Sequence, residues 1–263
     1  MSDCDIVYNN VEGQELMLDI ARPAKGGPFP TVMFIFGGGF TRGSRKDWYA
    51  QVVDAAQRGY VGVAVDHRLT SVRGDSGRPK YPFPAQIYDV KCAVRWLRAN
   101  AGKYAIDVDH IGIVGYSSGG MLSLLLALTD VNDGLEGACL ENYSSSVQAA
   151  VNIAGPVDLV MNYQFYPSYM ELLLGGSPVQ VPDRYTAASP ITYIGGENAP
   201  ILSLCGSEDP MLFQLKLLDD QMKAVGSTHT LIVIQGIGHY NLFALDYSQQ
   251  DSPGWKFLDA CLK

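Results

Sequence analysis

The stretch "GYSSGG" occupies residues 115–120 and directly follows the apolar run "HIGIV" at residues 110–114. An apolar run of this kind predicts a strand that is buried on both faces. The segment "MLSLLLALT" at residues 121–129 is apolar almost all round, so it predicts a deeply buried helix. The glycines between the two segments predict a sharp turn from strand to helix, and two adjacent serines lie in that turn.

The spacing of the glycines selects Ser117 as the candidate nucleophile. In the pattern Gly-x-Ser-x-Gly, the residues two before and two after the serine are small because backbone packs against them. Ser117 has Gly115 and Gly119 at these positions. The leading position of Ser118 is the bulky Tyr116, but Ser118 begins the predicted helix, so its backbone N–H is a candidate oxyanion donor. A chance match in a Gly-rich turn is the alternative, and the strand–helix context argues against it.

A nucleophilic serine needs a base to take its proton, and the base needs an acid to orient it. The chain has four histidines, of which His67 and His110 precede Ser117. His229 begins an apolar strand pattern, where a structural role is expected. His239 lies in "GIGHYNLF", after the last predicted strand, where a base would reach over the end of the sheet. His239 is therefore the predicted base.

Three carboxylates compete for the role of the acid. Asp209 lies in "LSLCGSEDPM", in a loop just beyond a predicted strand, and Glu208 is its neighbouring rival. Asp158, in "AGPVDL", also follows a predicted strand. A helix N-cap is the structural alternative for Asp158, since aspartate is a preferred residue there. The residues alone favour Asp209 and leave the other two open.

The segment "FIFGGGF" at residues 34–40 supplies candidate donors for an oxyanion hole beside the serine. Three glycines after a buried strand let backbone N–H groups approach a developing oxyanion. Gly38 and Gly39 are the candidate donors. A tight turn from strand to loop is the structural alternative for any one of these glycines.

Strands alternate with helices along the chain, which predicts an α/β protein with a mostly parallel sheet and helices on both faces. The first two strands are expected to form an antiparallel edge, and residues 1–263 are expected to form one domain. The predicted strands cover residues 4–10, 15–23, 30–36, 60–68, 110–116, 147–155, 199–206 and 228–236. The predicted helices lie near residues 47–58, 84–101, 117–129, 211–225 and 254–261.

Residues 155–198 are the least regular part of the sequence, and we expect them to form a small cap or lid insertion. Aromatic residues in and around this segment are the candidate substrate-binding residues, because aromatic rings line pockets and stack on sugars or aromatic acids. The alternative is that they pack short helices onto the body of the protein. The candidates are Tyr163, Phe165, Tyr166 and Tyr169 in the insertion, and Phe40, Trp48, Tyr81 and Phe83 elsewhere.

The charge balance excludes some classes of partner. The net charge is −8 and the isoelectric point is about 4.9, which argues against binding nucleic acid or anionic membranes through bulk electrostatics. The longest apolar run is too short to span a bilayer. The N-terminal residues carry neither a basic nor an apolar segment, so we expect no signal peptide and a cytoplasmic protein.

The five cysteines are widely spaced and include no CxxC pair. This pattern does not indicate a disulfide framework or a zinc site, so reduced, buried thiols are expected. We expect no metal and no cofactor, and a small-molecule ester as the binding partner. The sequence leaves open whether the chain forms a homo-oligomer.

Taken together, these motifs resemble the α/β-hydrolase family, and within it the esterases of the hormone-sensitive-lipase type and the acetyl-xylan and feruloyl esterase-like domains. The resemblance implies a serine hydrolase of short acyl or aryl esters, including acetylated or feruloylated carbohydrates. It implies that Ser117, Asp209 and His239 form the triad. The motifs that carry it are "GGGF" (37–40), "VDHRL" (65–69), "YPFPAQIYDV" (81–90), "GYSSGG" (115–120), "GSEDP" (206–210) and "GH" (238–239).

The sequence departs from the family at two places. Phe36 stands where the family usually has a histidine that helps to hold the oxyanion loop. Only 36 residues precede the glycine run, which fits compact esterases and kynurenine-formamidase-like enzymes better than relatives with a long N-terminal cap. An amidase or formamidase with the same triad is one alternative function, and a non-catalytic ligand-binding protein on the same scaffold is another.

Overall fold

The computed structural model describes residues 1–195, 197–241 and 252–263. Within these ranges a single eight-stranded sheet is formed. Its strands are Ser2–Val11 (β1), Gln14–Ala21 (β2), Phe29–Ile35 (β3), Val61–Val65 (β4), Ile106–Tyr116 (β5), Ala149–Ile153 (β6), Ile201–Gly206 (β7) and His229–Ile234 (β8). Their order is β1-β2-β4-β3-β5-β6-β7-β8.

The pairing of the strands confirms the predicted, mostly parallel sheet. β1 and β2 are antiparallel to each other, β2 is antiparallel to β4, and all other neighbours are parallel. β4 and β6 are buried along their whole length, as expected of continuous apolar runs covered on both faces. The carboxyl ends of the parallel strands meet at one edge of the sheet, which is where such folds bind ligands.

Helices cover both faces of this sheet. Those in the described residues are Tyr49–Gln57 (α1), Ala85–Ala99 (α2), Ala101–Tyr104 (α3), Ser118–Leu128 (α4), Leu159–Tyr163 (α5), Pro167–Leu174 (α6), Pro182–Ala188 (α7), Leu212–Ala224 (α8) and Pro253–Leu262 (α9). Side chains of α1 and α9 pack into one apolar cluster, whereas those of α2, α4 and α8 pack into the other. The apolar character of α4 has a direct cause, since all of its residues are buried.

The segment between β6 and β7, expected to be irregular, consists of the short helices α5, α6 and α7 and a 3₁₀ turn at Pro190–Tyr193. Prolines stand in the first turn of α6, of α7 and of the 3₁₀ helix, where their missing N–H costs no intrahelical bond. The segment's helix α6 contributes residues to the cavity described below.

One expectation about the cysteines was wrong. Cys92 on α2 forms a disulfide with Cys139, 47 residues further along the chain. The residues around 139 return to α2, and Glu136 accepts hydrogen bonds there from the buried side chains of Lys91 and Arg95. Spacing alone did not indicate this pair because tertiary packing creates it.

Candidate active site

The turn after β5 has the strained geometry expected of a nucleophile turn. Ser117 has φ +54° and ψ −117°, a conformation that L-residues rarely adopt. Its N–H donates to the carbonyl of Ile153 at 2.8 Å, which ties the turn to the end of β6. A Cβ on Gly115 would lie 2.0 Å from the carbonyl oxygen of Gly119. One on Gly119 would lie 2.3 Å from the carbonyl oxygen of Ile35, so both positions admit only glycine.

Three residues from three different loops form one hydrogen-bonded chain at this edge of the sheet. The Oγ of Ser117 lies 2.9 Å from Nε2 of His239, and Nδ1 of His239 lies 2.8 Å from Oδ2 of Asp209. The side chain of Asp209 is fully buried, and its other oxygen accepts the N–H of Met211 at 2.9 Å. Because a carboxylate only accepts, the proton of His239 is on Nδ1 and Nε2 is free to accept from Ser117.

The two rival carboxylates lie outside this chain of bonds. Asp158 caps α5, and its Oδ1 accepts the N–H groups of Val160 at 2.8 Å and Met161 at 3.1 Å. This is the N-cap role that the sequence left open as its structural alternative. Glu208 is exposed to solvent.

The glycine run packs against the serine turn from the other side. Gly38 and Gly39 have φ of +124° and +63°, which explains the need for glycine at both positions. Neither N–H donates to a backbone carbonyl within the described residues. Ser118 is the first residue of α4, and the first N–H groups of a helix have no intrahelical acceptor. All three residues line the same cavity as Ser117.

Phe36 supports the glycine run through packing. Its ring is buried and stacks on the imidazole of His67, with centroids 4.3 Å apart and planes inclined by 14°. Burial lowers the pKa of His67 to about 4, so the ring is neutral, and its Nδ1 donates to the carbonyl of Arg68 at 3.1 Å. A Cβ on Gly43 would lie 2.5 Å from the ring of Phe36. The loop that carries the glycines is therefore held on an aromatic stack.

A cavity of about 440 Å³ opens above the serine. Its walls are mostly apolar and aromatic, as is usual for small-molecule sites. Within the described residues it is lined by Phe36, Gly37, Gly38, Gly39, Phe40, Arg42, Gly43, Asp47, Trp48, Tyr116, Ser117, Ser118, Ala154, Pro156, Asn162, Tyr166, Tyr169, Met170, Met211, His239 and Tyr240. No group of three or more His, Cys, Asp or Glu side chains in the described part of the chain could hold a metal ion.

Residues 18–217 match the sequence model of the BD-FAE family, which is more than half of the chain. The chain belongs to the BD-FAE family. It is 33% identical over 208 residues to the esterase LipQ of Mycobacterium tuberculosis, a match that covers 76% of this chain and 47% of LipQ. The match covers 47% of LipQ and a similar share of two other mycobacterial esterase relatives. The chain thus spans about half the length of these curated relatives.

Two solved structures show the same architecture as this BD-FAE member. A truncated carbohydrate esterase from gut microbiota superposes with a TM-score of 0.84 at 25% identity, covering 99% of this chain and 95% of the other. The bifunctional GH43-CE protein of Bacteroides eggerthii has a TM-score of 0.79 at 30% identity, covering 92% of this chain and 36% of that one. The fold is the α/β-hydrolase fold that the sequence motifs implied.

The structure places four of the eight predicted substrate-binding residues at the cavity: Phe40, Trp48, Tyr166 and Tyr169. Two of them hold the cavity in shape as well as lining it. Trp48 is fully buried and stacks on Phe34, with centroids 5.0 Å apart. A Cβ on Gly39 would lie 2.8 Å from the ring of Tyr169, so α6 sits directly on the glycine run.

The other four lie away from the cavity. Tyr81 is buried beneath the cations of Arg68 and Lys80, at 5.2 and 5.0 Å from its ring centroid. Phe83 packs against the main core, and its N–H donates to a carbonyl of α6. Tyr163 donates its hydroxyl to Glu171, and Phe165 is 54% exposed. For Tyr163 and Phe165, a cluster of aromatic residues in the sequence does not reveal which side of a short helix faces inwards.

Several cavity residues were missed at the level of sequence. Tyr116 directly precedes the candidate nucleophile, its ring centroid lies 5.4 Å from that of His239, and its hydroxyl donates to the carbonyl of His239 at 2.8 Å. Burial raises the pKa of Tyr116, so it stays neutral. Tyr240 follows the base and lies at 5.5 Å from its ring centroid. Adjacency to the serine and to the histidine was the signal that could have identified both. No such adjacency in the sequence pointed to four other lining residues, which are Arg42, Asp47, Met170 and Met211.

No helix in the described ranges is long and apolar enough to cross a membrane.

Proposed function

We propose that this BD-FAE member is a serine ester hydrolase that acts through an acyl-enzyme, with Ser117, His239 and Asp209 as its catalytic residues. The observation that carries the proposal is the Ser117 Oγ to His239 Nε2 distance of 2.9 Å at a strained turn that opens into a cavity. The esterase and carbohydrate esterase relatives support the same reaction class.

In the first half of the reaction, Ser117 Oγ attacks the carbonyl carbon of the ester while Nε2 of His239 takes the hydroxyl proton. Asp209 accepts the Nδ1–H of His239 at 2.8 Å and stabilises the imidazolium that forms. The tetrahedral intermediate then collapses, the ester C–O bond breaks, and His239 passes its proton to the leaving alcohol. The acyl group remains on Ser117.

The charge that develops on the carbonyl oxygen needs donors placed in advance. The backbone N–H groups of Gly38, Gly39 and Ser118 are the proposed oxyanion hole, because they line the cavity beside Ser117. Removal of one such donor costs about 100- to 1,000-fold in rate in enzymes of this type. The helix dipole of α4 adds positive potential at Ser118.

In the second half, a water molecule takes the place of the alcohol. His239 accepts a proton from this water, the hydroxide attacks the acyl carbonyl, and the same three N–H groups stabilise the second oxyanion. Collapse of this intermediate returns the proton to Ser117 through His239 and releases the carboxylic acid. The cycle requires no group other than the chain's own residues and water.

The cavity supports small esters as substrates. A volume of about 440 Å³ is at the smaller end of the range for small-molecule sites. Phe40, Trp48, Tyr166 and Tyr169 offer aromatic surface for a short acyl chain, an aryl group or the face of a sugar. We propose that residues 155–198 act as a cap on a single domain, because Tyr166, Tyr169 and Met170 from this segment form one wall of the cavity.

The test is hydrolysis of p-nitrophenyl esters from acetyl to decanoyl, together with an acetylated and a feruloylated sugar. The expected result is turnover that is fastest with short acyl chains and is abolished in Ser117→Ala. Ser118→Ala is the matched control, since it removes a neighbouring, buried hydroxyl and keeps the backbone N–H. Absence of turnover on all of these substrates by folded wild-type protein would refute the proposed function.

A further inference from the structure

A second Ser–His–Asp chain of hydrogen bonds joins two strands of the sheet to helix α8. Nδ1 of His229 on β8 lies 2.8 Å from Oδ1 of Asp219 on α8, and Nε2 of His229 lies 2.9 Å from Oγ of Ser203 on β7. Because Asp219 accepts, the proton of His229 is on Nδ1, and Ser203 donates its hydroxyl to Nε2. The connectivity and the distances match those of Ser117, His239 and Asp209.

This second chain has no access to substrate. Ser203 is fully buried, the side chain of His229 is fully buried, and neither residue lines the cavity. The hydroxyl of Ser203, with its hydrogen directed to His229, accepts a further hydrogen bond from Nδ2 of Asn152 at 3.3 Å. The second Ser–His–Asp chain therefore has a structural role, and the group that it holds in place is the side chain of Asn152.

Asn152 connects this chain to the turn that carries Ser117. Its Oδ1 accepts the N–H of Gly155 at 2.8 Å, just beyond the end of β6. A Cβ on Gly120, in the first turn of α4, would lie 2.4 Å from the same Oδ1. The residue after Asn152 is Ile153, whose carbonyl accepts the N–H of Ser117 at 2.8 Å. Asn152 thus lies directly beneath the serine turn.

Asn152 and Ser203 are polar residues on buried strands, where most side chains are apolar. β6 and β7 are buried along their whole length, and their other side chains in this region are mainly apolar. Buried polar groups stabilise less than apolar packing, but a fully paired network fixes one arrangement of its members. Burial lowers the pKa of His229, so the ring is neutral and the direction of every bond in the network is fixed.

We propose that Asn152 is a positioning residue for the nucleophile turn, and that Ser203, His229 and Asp219 form a hydrogen-bonded relay that fixes the orientation of its amide. With Nδ2 directed to Ser203, Oδ1 is directed to Gly155 and to the first turn of α4. This inference rests on the proposed ester hydrolysis, since Ser117 is the residue whose position the relay controls.

The relay predicts a specific kinetic effect. Ser203→Ala leaves Nδ2 of Asn152 without its acceptor, so the amide can turn and the contact with Gly155 loosens. Small displacements of reacting groups cost up to roughly 100-fold in rate, and we expect about a 10-fold loss of kcat with KM within about 2-fold of the wild type. Asp219→Asn is a second, isosteric variant. Its amide can donate to Nδ1 and so reverse the tautomer of His229, and we expect a loss of about 3-fold or more.

The measurement is kcat per active site for hydrolysis of a p-nitrophenyl ester, with active sites counted by mass spectrometry of a fluorophosphonate adduct on Ser117. Thr31→Val is the matched control for Ser203→Ala, because it removes another fully buried hydroxyl from the sheet, at a distance from the turn. Asp220→Asn is the control for Asp219→Asn, because it makes the same change at the next, exposed position of α8. Both controls are expected to keep the kcat of the wild type.

A network that only stabilises the fold would lower the melting temperature and leave kcat per labelled site unchanged. Values within about 2-fold of the wild type for both Ser203→Ala and Asp219→Asn would therefore overturn the relay. The failure of the proposed function looks different, because the wild type itself would then show neither turnover nor an adduct on Ser117. If Ser203→Ala does not fold, Asp219→Asn alone decides between the two outcomes.

Discussion

The two Ser–His–Asp chains in this protein have the same dimensions and different surroundings. The serine-to-histidine distance is 2.9 Å in both, and the histidine-to-aspartate distance is 2.8 Å in both. One chain ends at Ser117 in a cavity, whereas the other ends at Ser203 in the middle of a buried strand. A hydrogen-bonded triad is therefore not sufficient evidence for a nucleophile.

What separates the two serines is the backbone around them. Ser117 has a φ of +54° and lines the cavity together with Gly38, Gly39 and Ser118, whose N–H groups are the proposed oxyanion donors. Ser203 has the extended backbone of β7, where strand pairing on both sides occupies its neighbours' N–H groups. Electrostatic stabilisation of an oxyanion is usually the largest single contribution in acyl transfer. Access to a cavity and the strained turn at Ser117 therefore distinguish the two serines, whereas the hydrogen-bonded triad does not.

The largest expected difference is in covalent labelling. A fluorophosphonate probe should modify Ser117 in the folded protein and leave Ser203 untouched, because of these two serines only Ser117 lines the cavity beside its histidine partner. Peptide mass spectrometry after tryptic digestion locates the adduct, and unfolding before labelling should abolish it. An adduct on Ser203 in the native state would remove the distinction between the two chains.

The same substitution in both chains should have unequal kinetic effects. Asp209→Asn is expected to lower kcat by roughly 10,000-fold, because the amide favours the wrong tautomer of the catalytic base. Asp219→Asn makes the same tautomer change where no proton is transferred, so we expect a loss of about 3- to 10-fold.

Asp158→Asn is the third member of this set and keeps an N-cap, so its kcat should match that of the wild type. Steady-state kinetics on one ester compares all three variants. A larger loss in Asp158→Asn than in Asp209→Asn would assign the catalytic acid to Asp158, and one in Asp219→Asn would contradict the contrast between the two chains.

The buried histidines His67 and His229 should make the protein less stable in acid. Burial lowers the pKa of His229, beside Asp219 and Lys223, and lowers that of His67 to about 4. Because the unfolded state binds a proton near pH 6.5 and the folded state does not, the free energy of unfolding falls as the pH drops below about 6.5. For His67 the expected loss between pH 7.5 and pH 5 is about 2 kcal/mol.

Urea unfolding at both pH values measures this loss. His67→Gln and His229→Gln should each be less sensitive to acid than the wild type, since glutamine does not titrate. An unchanged pH dependence in both variants would mean that other groups control acid unfolding.

The sequence predicted the parts of the fold that depend on local pattern. Buried runs such as that of β3, the position of Ser117 between two glycines and the antiparallel edge are all legible from periodicity and turn residues. Asp209 and His239 could be chosen from the sequence because both follow predicted strands, and strand ends mark the carboxyl edge of a parallel sheet. The structure brings both within hydrogen-bond distance of one another.

The features that the sequence did not predict depend on contacts between distant segments. Cys92 and Cys139 meet only because a loop returns to α2. His229 was expected to be structural, but its bonds to Asp219 and Ser203 join three separate elements and have no local signature. Side-chain direction in short helices is another such feature, because five to eight residues contain too few turns to define a face.

The smallest expected effect concerns two aromatic residues of the segment 155–198, one inside the cavity and one outside it. Tyr169 lines the cavity and touches the glycine run, whereas Tyr163 donates to Glu171 and packs edge-on against Tyr185 at 6.0 Å. Tyr169→Ala should raise KM by about 3- to 10-fold for an aryl or sugar ester, in proportion to the lost contact area. Tyr163→Ala should change kcat/KM by less than about 2-fold. Equal effects of the two substitutions would contradict the assignment of substrate binding to the side of this segment that lines the cavity.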